Sequence, residues 1–203
     1  KRMKLFKKLI TPLLGVLLLT SCSSMSEGVS IGDKDFSINQ IQQSVDQILE
    51  SRKTVDTSQL NNLSAPDLLR GQAQFFIASE IFSQIATDLS IEVTPSEIAD
   101  RRTQIIASLG GESKLPAALV GANLAASDLD TNLKTLIISE RMQSNFINSG
   151  GLETEYFAYL QDLIVKTAKK LGVKVNPKYG KWNSETASID ASDSTDGAVT
   201  GLP

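Results

Sequence analysis

The 203-residue sequence has no histidine and only one cysteine. Without an imidazole there is no general base of the kind that serine and cysteine hydrolases use, and no ordinary zinc site. A single cysteine excludes an intrachain disulfide and a Cys-x-x-Cys redox pair. Because these absences exclude several large classes of enzyme, we expect a protein with no catalytic residues, no metal and no cofactor.

Aromatic residues, glycine and proline are also scarce. Aromatic side chains make up 5% of the residues, and there are 13 glycines and six prolines. These turn formers are too few for a sandwich or barrel with many tight turns, so a mainly helical fold is favoured. Hydrophobic residues at 41% and charged residues at 21% are typical of a globular protein. Leu, Ile, Val and Ala must therefore fill most of its core.

The N-terminal segment has the pattern of a secretion signal. Five basic side chains lie within residues 1–8, and an apolar run follows from Leu9 to Leu19. Eleven helical residues span about 16 Å, roughly half of the hydrocarbon thickness of a bilayer. A basic flank, a short apolar run and small residues are typical of a signal peptide rather than a transmembrane helix. Residues 1–21 are therefore predicted to be a signal.

The only cysteine closes that segment, in the sequence Leu19-Thr20-Ser21-Cys22. This sequence resembles the bacterial lipobox, and the resemblance implies that the Cys22 thiol carries a diacylglyceryl group at the start of the mature protein. The alternative is a plain secretory signal with an accidental cysteine. Two acyl chains give stable anchoring, since each buried methylene contributes about 0.8 kcal/mol. We expect a lipoprotein on the outer face of the bacterial cytoplasmic membrane, or on another envelope membrane.

Removal of the signal would make the mature chain acidic. It would keep 15 basic and 23 acidic side chains, a net charge of −8. An acidic protein is a poor ligand for polyanions, so we expect neither nucleic acid nor anionic head groups as a partner. No motif indicates a small-molecule substrate.

Capping residues and apolar periodicity divide the remaining chain into a short tether and a series of helices. Residues 22–28 are predicted to be the tether and residues 29–182 the folded domain, mainly α, with about five to six helices. Two short alternating segments, near Val29 and at Val173–Val175, predict a small antiparallel β element that joins the two ends of the domain. Residues 183–203 contain four acids and no base and are predicted to be disordered. The predicted helices cover about 38–52, 64–89, 94–109, 116–120, 127–149 and 153–171.

Two pairs of acidic residues are candidates for acid–base catalysis. Asp128 and Asp130 flank Leu129, and Glu153 and Glu155 flank Thr154. Both pairs lie at predicted helix starts, where a carboxylate is favoured by the positive end of the helix dipole. We interpret them as structural.

The order of the elements resembles that of the SurA-type N-terminal chaperone domain, which also occurs in PrsA-like foldases. The segments that carry the resemblance are VSIGDKDFSINQI, ATDLSIEVTPSEIADRRTQI, AASDLDTNLKTLIISERM and LGVKVNPKYGKWN. Together they place the likeness over residues 29–183. Many relatives insert a parvulin-type prolyl isomerase domain, and this sequence has no stretch left to house one. The resemblance thus implies chaperone activity without isomerase activity.

The function that the resemblance implies is that of a membrane-anchored chaperone for unfolded or partly folded secreted proteins. Its helices would frame an apolar groove, and we predict that Leu115, Leu119, Val120 and Leu124 line one wall. Two alternatives stay open. The same fold could serve a structural or assembly lipoprotein that binds one dedicated partner, or the protein could be a peptidyl-prolyl isomerase.

Overall fold

The structure, a computed structural model, describes residues 27–60 and 62–191. The predicted signal segment, Cys22 and the predicted tether up to residue 26 lie outside the described residues. Within the described part the protein is mainly helical, with six α-helices and small antiparallel β elements, so the predicted fold class is confirmed.

Three of the six helices begin at a residue whose side chain caps them. Ser37 accepts a hydrogen bond from the Gln40 backbone N–H, and Ser64 accepts one from Asp67. Thr94 and Glu97 form a complete capping box, in which each side chain bonds the other residue's backbone N–H. Because capping is local, the predicted starts of these three helices are confirmed. The bounds are α1 Ile38–Arg52, α2 Ala65–Asp88, α3 Pro95–Leu109, α4 Leu115–Gly121, α5 Leu129–Asn148 and α6 Glu153–Leu171.

The start of α5 differs from the prediction. A single turn of 3₁₀-helix, Ala126–Asp128, precedes it, and Ser127 does not cap it. Asp128 is buried and accepts a hydrogen bond from Ser44 on α1 at 2.6 Å. The entry into α5 is therefore fixed by a contact with the first helix, which is remote in the sequence.

Three strands join the two ends of the domain. β1 Glu27–Ile31 lies between β2 Lys34–Ser37 and β3 Val173–Val175, and both pairings are antiparallel. Val29 is paired with Val175. This is the predicted β element, and it forms because β3 follows the last helix directly after Gly172, whose φ of 74° ends α6.

A second, two-stranded sheet follows, where disorder was predicted. β4 Lys181–Asn183 pairs with β5 Ser188–Asp190. Ile189 on β5 is buried, and Gln74 on α2 bonds the hairpin backbone at Ala187 and Ile189. The prediction of disorder is therefore wrong for residues 183–191, because contacts with α2 order a segment whose composition is polar.

The core surrounds α2. Its buried residues include Ala73, Ile77, Ile81 and Ile85, and they pack with β1, α5, α6 and the β4–β5 hairpin. A second cluster holds α4 against the start of α5 and the inner side of α3, and a third joins α1 to the start of α2. Over residues 27–60 and 62–191, none of the helices combines the length and the apolar character needed to cross a membrane.

Candidate functional site

The four residues predicted to line a groove are buried. Leu115, Leu119 and Leu124 are each 9% exposed, and Val120 is 2% exposed. The three leucines pack with Leu129 and Leu133 in the second core cluster. Side chains covered to this extent cannot contact a client unless the domain opens. The prediction that they form an accessible groove wall is therefore wrong.

The reason lies in the length and position of α4. A seven-residue helix with Leu115 and Leu119 one turn apart presents a single apolar face. That face packs against Ile105 of α3 and Leu133 of α5 and shields them from water. A short apolar segment is compatible with burial in the core as well as with a role as a binding surface. Only the tertiary contacts distinguish these two possibilities. Leu124 alone among the four also borders a pocket on α2.

Exposed apolar side chains are concentrated at the other end of α5, where α5 turns into α6. Phe157 is 76% exposed and Leu152 is 60% exposed, the highest values among the large apolar residues that the structure describes as exposed. Ile147, in the last turn of α5, and Leu89, which follows α2, are also exposed. With Phe146 and Tyr159, which lie beside Leu89 in a pocket, we call these residues the end surface.

The pocket in the end surface has a volume of about 390 Å³. Its lining includes Leu89, Met142, Phe146 and Tyr159. The rings of Phe146 and Tyr159 are stacked, with their centroids 4.6 Å apart, and Tyr156 lies 5.7 Å from Phe146. Such a volume is within the range of sites that hold a ligand or part of one. An apolar side chain of a partner could occupy it.

A glycine sets the geometry of this surface. Gly151 lies in the turn between α5 and α6, and a Cβ added to it would lie 2.4 Å from the Phe146 ring. The turn therefore passes directly over that ring. This close approach places Leu152 at the start of α6 while Phe146 stays stacked on Tyr159.

Tyr156 anchors the inner side of the same turn. Its hydroxyl donates a hydrogen bond to the Ser139 carbonyl at 3.1 Å, which ties α6 to α5. Desolvation by burial raises the pKa of the Tyr156 phenol above its ordinary value. The group therefore stays protonated at neutral pH and acts here as a structural donor.

The sequence contained no signal for the exposure of Phe157, the most exposed member of this surface. Phe157 precedes Leu160 and Ile164 by three and seven residues, a spacing that places all three on one face of α6. Leu160 and Ile164 pack on the main core, whereas Phe157 is not part of that cluster. The exposure of Ile147 and Leu89 also had no signal, because both lie at helix ends where the periodicity stops.

Both acid pairs lie at helix starts. Asp128 is bonded to Ser44, and Asp130 accepts a hydrogen bond from Arg102 at 2.6 Å. Glu153 and Glu155 lie in the first turn of α6, as the dipole argument predicts. Within the described ranges, no group of three or more carboxylate, histidine or cysteine side chains is placed to hold a metal ion.

A second concave region lies between α3 and α5. It has a volume of about 460 Å³, and Val93, Pro95, Ile98 and Ala99 contribute its apolar wall. Ion pairs connect the two helices that form it, from Arg101 to Glu140 and from Arg102 to Asp130. These pairs hold α3 against α5, and none of the large apolar side chains that the structure describes as exposed lines this groove. The end surface is therefore the stronger candidate.

No protein-family model, curated protein or solved structure matches the chain. The resemblance to the SurA-type chaperone domain stays a prediction from the sequence.

Proposed function

We propose that the protein is a membrane-anchored extracytoplasmic chaperone, a holdase or foldase that binds unfolded or partly folded secreted proteins. The observation that carries the proposal is the end surface. It exposes Leu152 and Phe157 in and after the turn between α5 and α6, and Phe146 and Tyr159 of the same two helices line a pocket. Burial of such side chains against apolar segments of a client is favourable and needs no fixed hydrogen-bond pattern. A surface of this kind can therefore accept many sequences.

The energy available at the end surface suits transient binding. Full burial of one large apolar side chain contributes about 1.5–3 kcal/mol. The ordering of client and surface side chains offsets part of that gain. A few contacts of this size give weak, reversible capture, which is what a holdase needs in order to release its client.

Chaperone activity is tested by the suppression of aggregation. We expect the full chain to delay aggregation of several unrelated unfolded proteins, and the double variant Phe157→Ser with Leu152→Ser to lose most of that effect. Leu136→Ser is the matched control, since Leu136 is also exposed but lies outside the end surface. Protection of none of the clients by the wild-type chain would contradict the proposal and would favour the dedicated-partner alternative.

Anchoring is tested separately through Cys22. In a bacterial host, we expect the wild-type chain to fractionate with membranes and its mature N-terminal peptide to carry a diacylglyceryl mass. Cys22→Ser should abolish both the mass and the membrane association. Membrane association that survives this substitution would contradict lipid anchoring at Cys22.

A further inference from the structure

The start of α6 carries an exposed carboxylate and an exposed aromatic ring on the same side of the helix. Glu153 and Phe157 are four residues apart in α6, a spacing that places their Cβ atoms about 5–6 Å from each other on one helix face. Both residues are exposed, Phe157 to 76%. Since both side chains are accessible from solvent, one ligand could contact the two together.

The Glu153 carboxylate has no ion-pair partner among the described residues. The ion pairs that α6 does form involve lysines in its last two turns. Along the sequence there is no Lys or Arg between Arg141 and Lys166, and Arg141 is itself paired with Glu97. The negative charge at the start of α6 is therefore left for a group from outside this segment.

The dipole of α6 acts against a cation at this place, but it is the smaller charge. The N-terminal end of a helix is equivalent to about half of a positive elementary charge. Glu153 and Glu155, both in the first turn, bring two negative charges. The whole chain is also negative, with a net charge of −3. A cationic group is therefore favoured over an anionic one at the start of α6.

We propose that the end surface binds client segments in which a Lys or Arg lies beside an apolar residue. The cation pairs with the Glu153 carboxylate and lies over the Phe157 ring, and the apolar side chain covers the rest of the exposed ring. The proposal rests on the proposed function, because it names the chemistry of the client. An aromatic face attracts a cation that lies within about 6 Å of its centre, and does so most often with Arg. The ring and the carboxylate therefore select the same kind of side chain.

The first experiment uses three peptides that differ in one side chain. Acetyl-Leu-Phe-Arg-amide and its counterparts with Gln or Glu in place of Arg are titrated into the isotope-labelled full chain by NMR at low salt. We expect the Arg peptide to shift the amide signals of Glu153 and Phe157. It should bind about fivefold more tightly than the Gln peptide, the value for an exposed ion pair with a cation–π contact, and the Glu peptide should bind most weakly. Equal binding of the Arg and Gln peptides, or no shift at these residues, would overturn the assignment.

Substitutions in the first turn of α6 separate the local carboxylate from the net charge. Glu153→Gln should weaken binding of the Arg peptide about threefold and leave the Gln peptide unchanged. Glu155→Gln is the matched control, because it removes the same charge from the same turn but lies about 200° around the helix from Phe157. It should leave binding of the Arg peptide nearly unchanged. Equal losses in the two variants would show that net charge alone attracts the cation, and would overturn the assignment.

The ring is tested by Phe157→Leu, which keeps an apolar side chain at this position. Leucine has no aromatic face for a cation, so the preference for the Arg peptide over the Gln peptide should fall. A preference that stays at its full value in this variant would overturn the role of the Phe157 ring.

The client chemistry and the proposed function can fail independently. If the wild-type chain delays the aggregation of several clients but binds the Arg and Gln peptides equally, the chaperone proposal stands and this inference fails. If the chain prefers the Arg peptide, and loses that preference in Glu153→Gln, but protects none of the clients, the chaperone proposal fails. In that case the pairing of Glu153 with Phe157 stands as a site for a basic segment of a dedicated partner.

Discussion

Ser44 on α1 donates a hydrogen bond of 2.6 Å from its hydroxyl to the carboxylate of Asp128, 84 residues further along the chain. Both residues are buried. A hydrogen bond to a carboxylate is stronger than one between neutral groups, and its strength increases away from water. Because Asp128 directly precedes α5, this contact holds the start of α5 against the first helix, together with the hydrogen bond that the Ser127 backbone N–H donates to Gln47 Oε1.

Loss of that contact should destabilise the whole domain. Ser44→Ala leaves a buried carboxylate with one partner fewer, and we expect the free energy of unfolding to fall by about 1–3 kcal/mol. Urea denaturation at pH 7 measures the change. Ser108→Ala is the control, since the Ser108 hydroxyl bonds only the exposed carbonyl of Ile105 and should change stability by less than about 0.5 kcal/mol. Equal effects of the two substitutions would show that the buried Ser44–Asp128 hydrogen bond contributes no more to stability than the exposed one.

The turn over Phe146 gives a second prediction. In Gly151→Ala the new methyl would lie within 2.6 Å of three ring atoms, so the ring or the turn must move. Overpacking of this kind costs about 1–3 kcal/mol. Thermal unfolding measures it. Gly71→Ala is the opposite control, because its Cβ meets nothing and alanine should stabilise the helix by about 0.5–1 kcal/mol. A stabilising Gly151→Ala would contradict the close approach.

Glu97 makes stability depend on pH. The backbone N–H of Thr94, and then the Arg141 guanidinium, hold the pKa of the Glu97 carboxyl below its ordinary value. A lowered folded-state pKa means that the unfolded chain takes up the proton first, so this contribution is present at neutral pH and is lost as the pH falls below about 4. We therefore expect Glu97→Gln to be less stable than the wild type at pH 7, and by a smaller margin at pH 3. Urea titrations at both pH values test this, and a constant difference would contradict it.

The helices of this protein could be predicted because their signals are local. The Thr94–Glu97 capping box and the glycine that ends α6 lie within a few residues of the boundaries they set. The pairing of Val29 with Val175 was also within reach, since two alternating segments at the ends of a helical domain have few other partners. These elements required no knowledge of distant contacts.

Burial could not be predicted in the same way. Leu119 and Phe157 are both apolar residues of amphipathic helices, yet the first is covered by α3 and α5 and the second faces solvent. The outcome depends on which helix packs over each one, and that choice is made by the whole fold. The predicted groove wall therefore lies in the core, and exposed apolar side chains lie at the other end of α5.

The β4–β5 hairpin shows most clearly how a contact between residues far apart in the sequence orders a segment. Gln74 on α2 uses both atoms of its amide to hold it, since Nε2 donates to the Ala187 carbonyl at 3.0 Å and the Ile189 N–H donates to Oε1 at 2.9 Å. These bonds join residues more than 110 positions apart. The polar composition of residues 183–191 gives no sign of them, which is why disorder was predicted there.

Gln74→Ala should therefore release the hairpin more than it weakens α2. Two hydrogen bonds of about 1 kcal/mol each are lost, and the partly buried backbone groups at Ala187 and Ile189 lose their partners. We expect the Ile189 amide to exchange with solvent up to about thirtyfold faster, because about 2 kcal/mol corresponds to that factor. Gln84→Ala is the control, since Gln84 bonds only Asp88 on the same helix and should leave Ile189 unchanged. If Ile189 stays as protected in Gln74→Ala as in the wild type, its apolar contacts alone order the hairpin. In that case the burial of Ile189, rather than the hydrogen bonds of Gln74, is what orders this segment despite its polar composition.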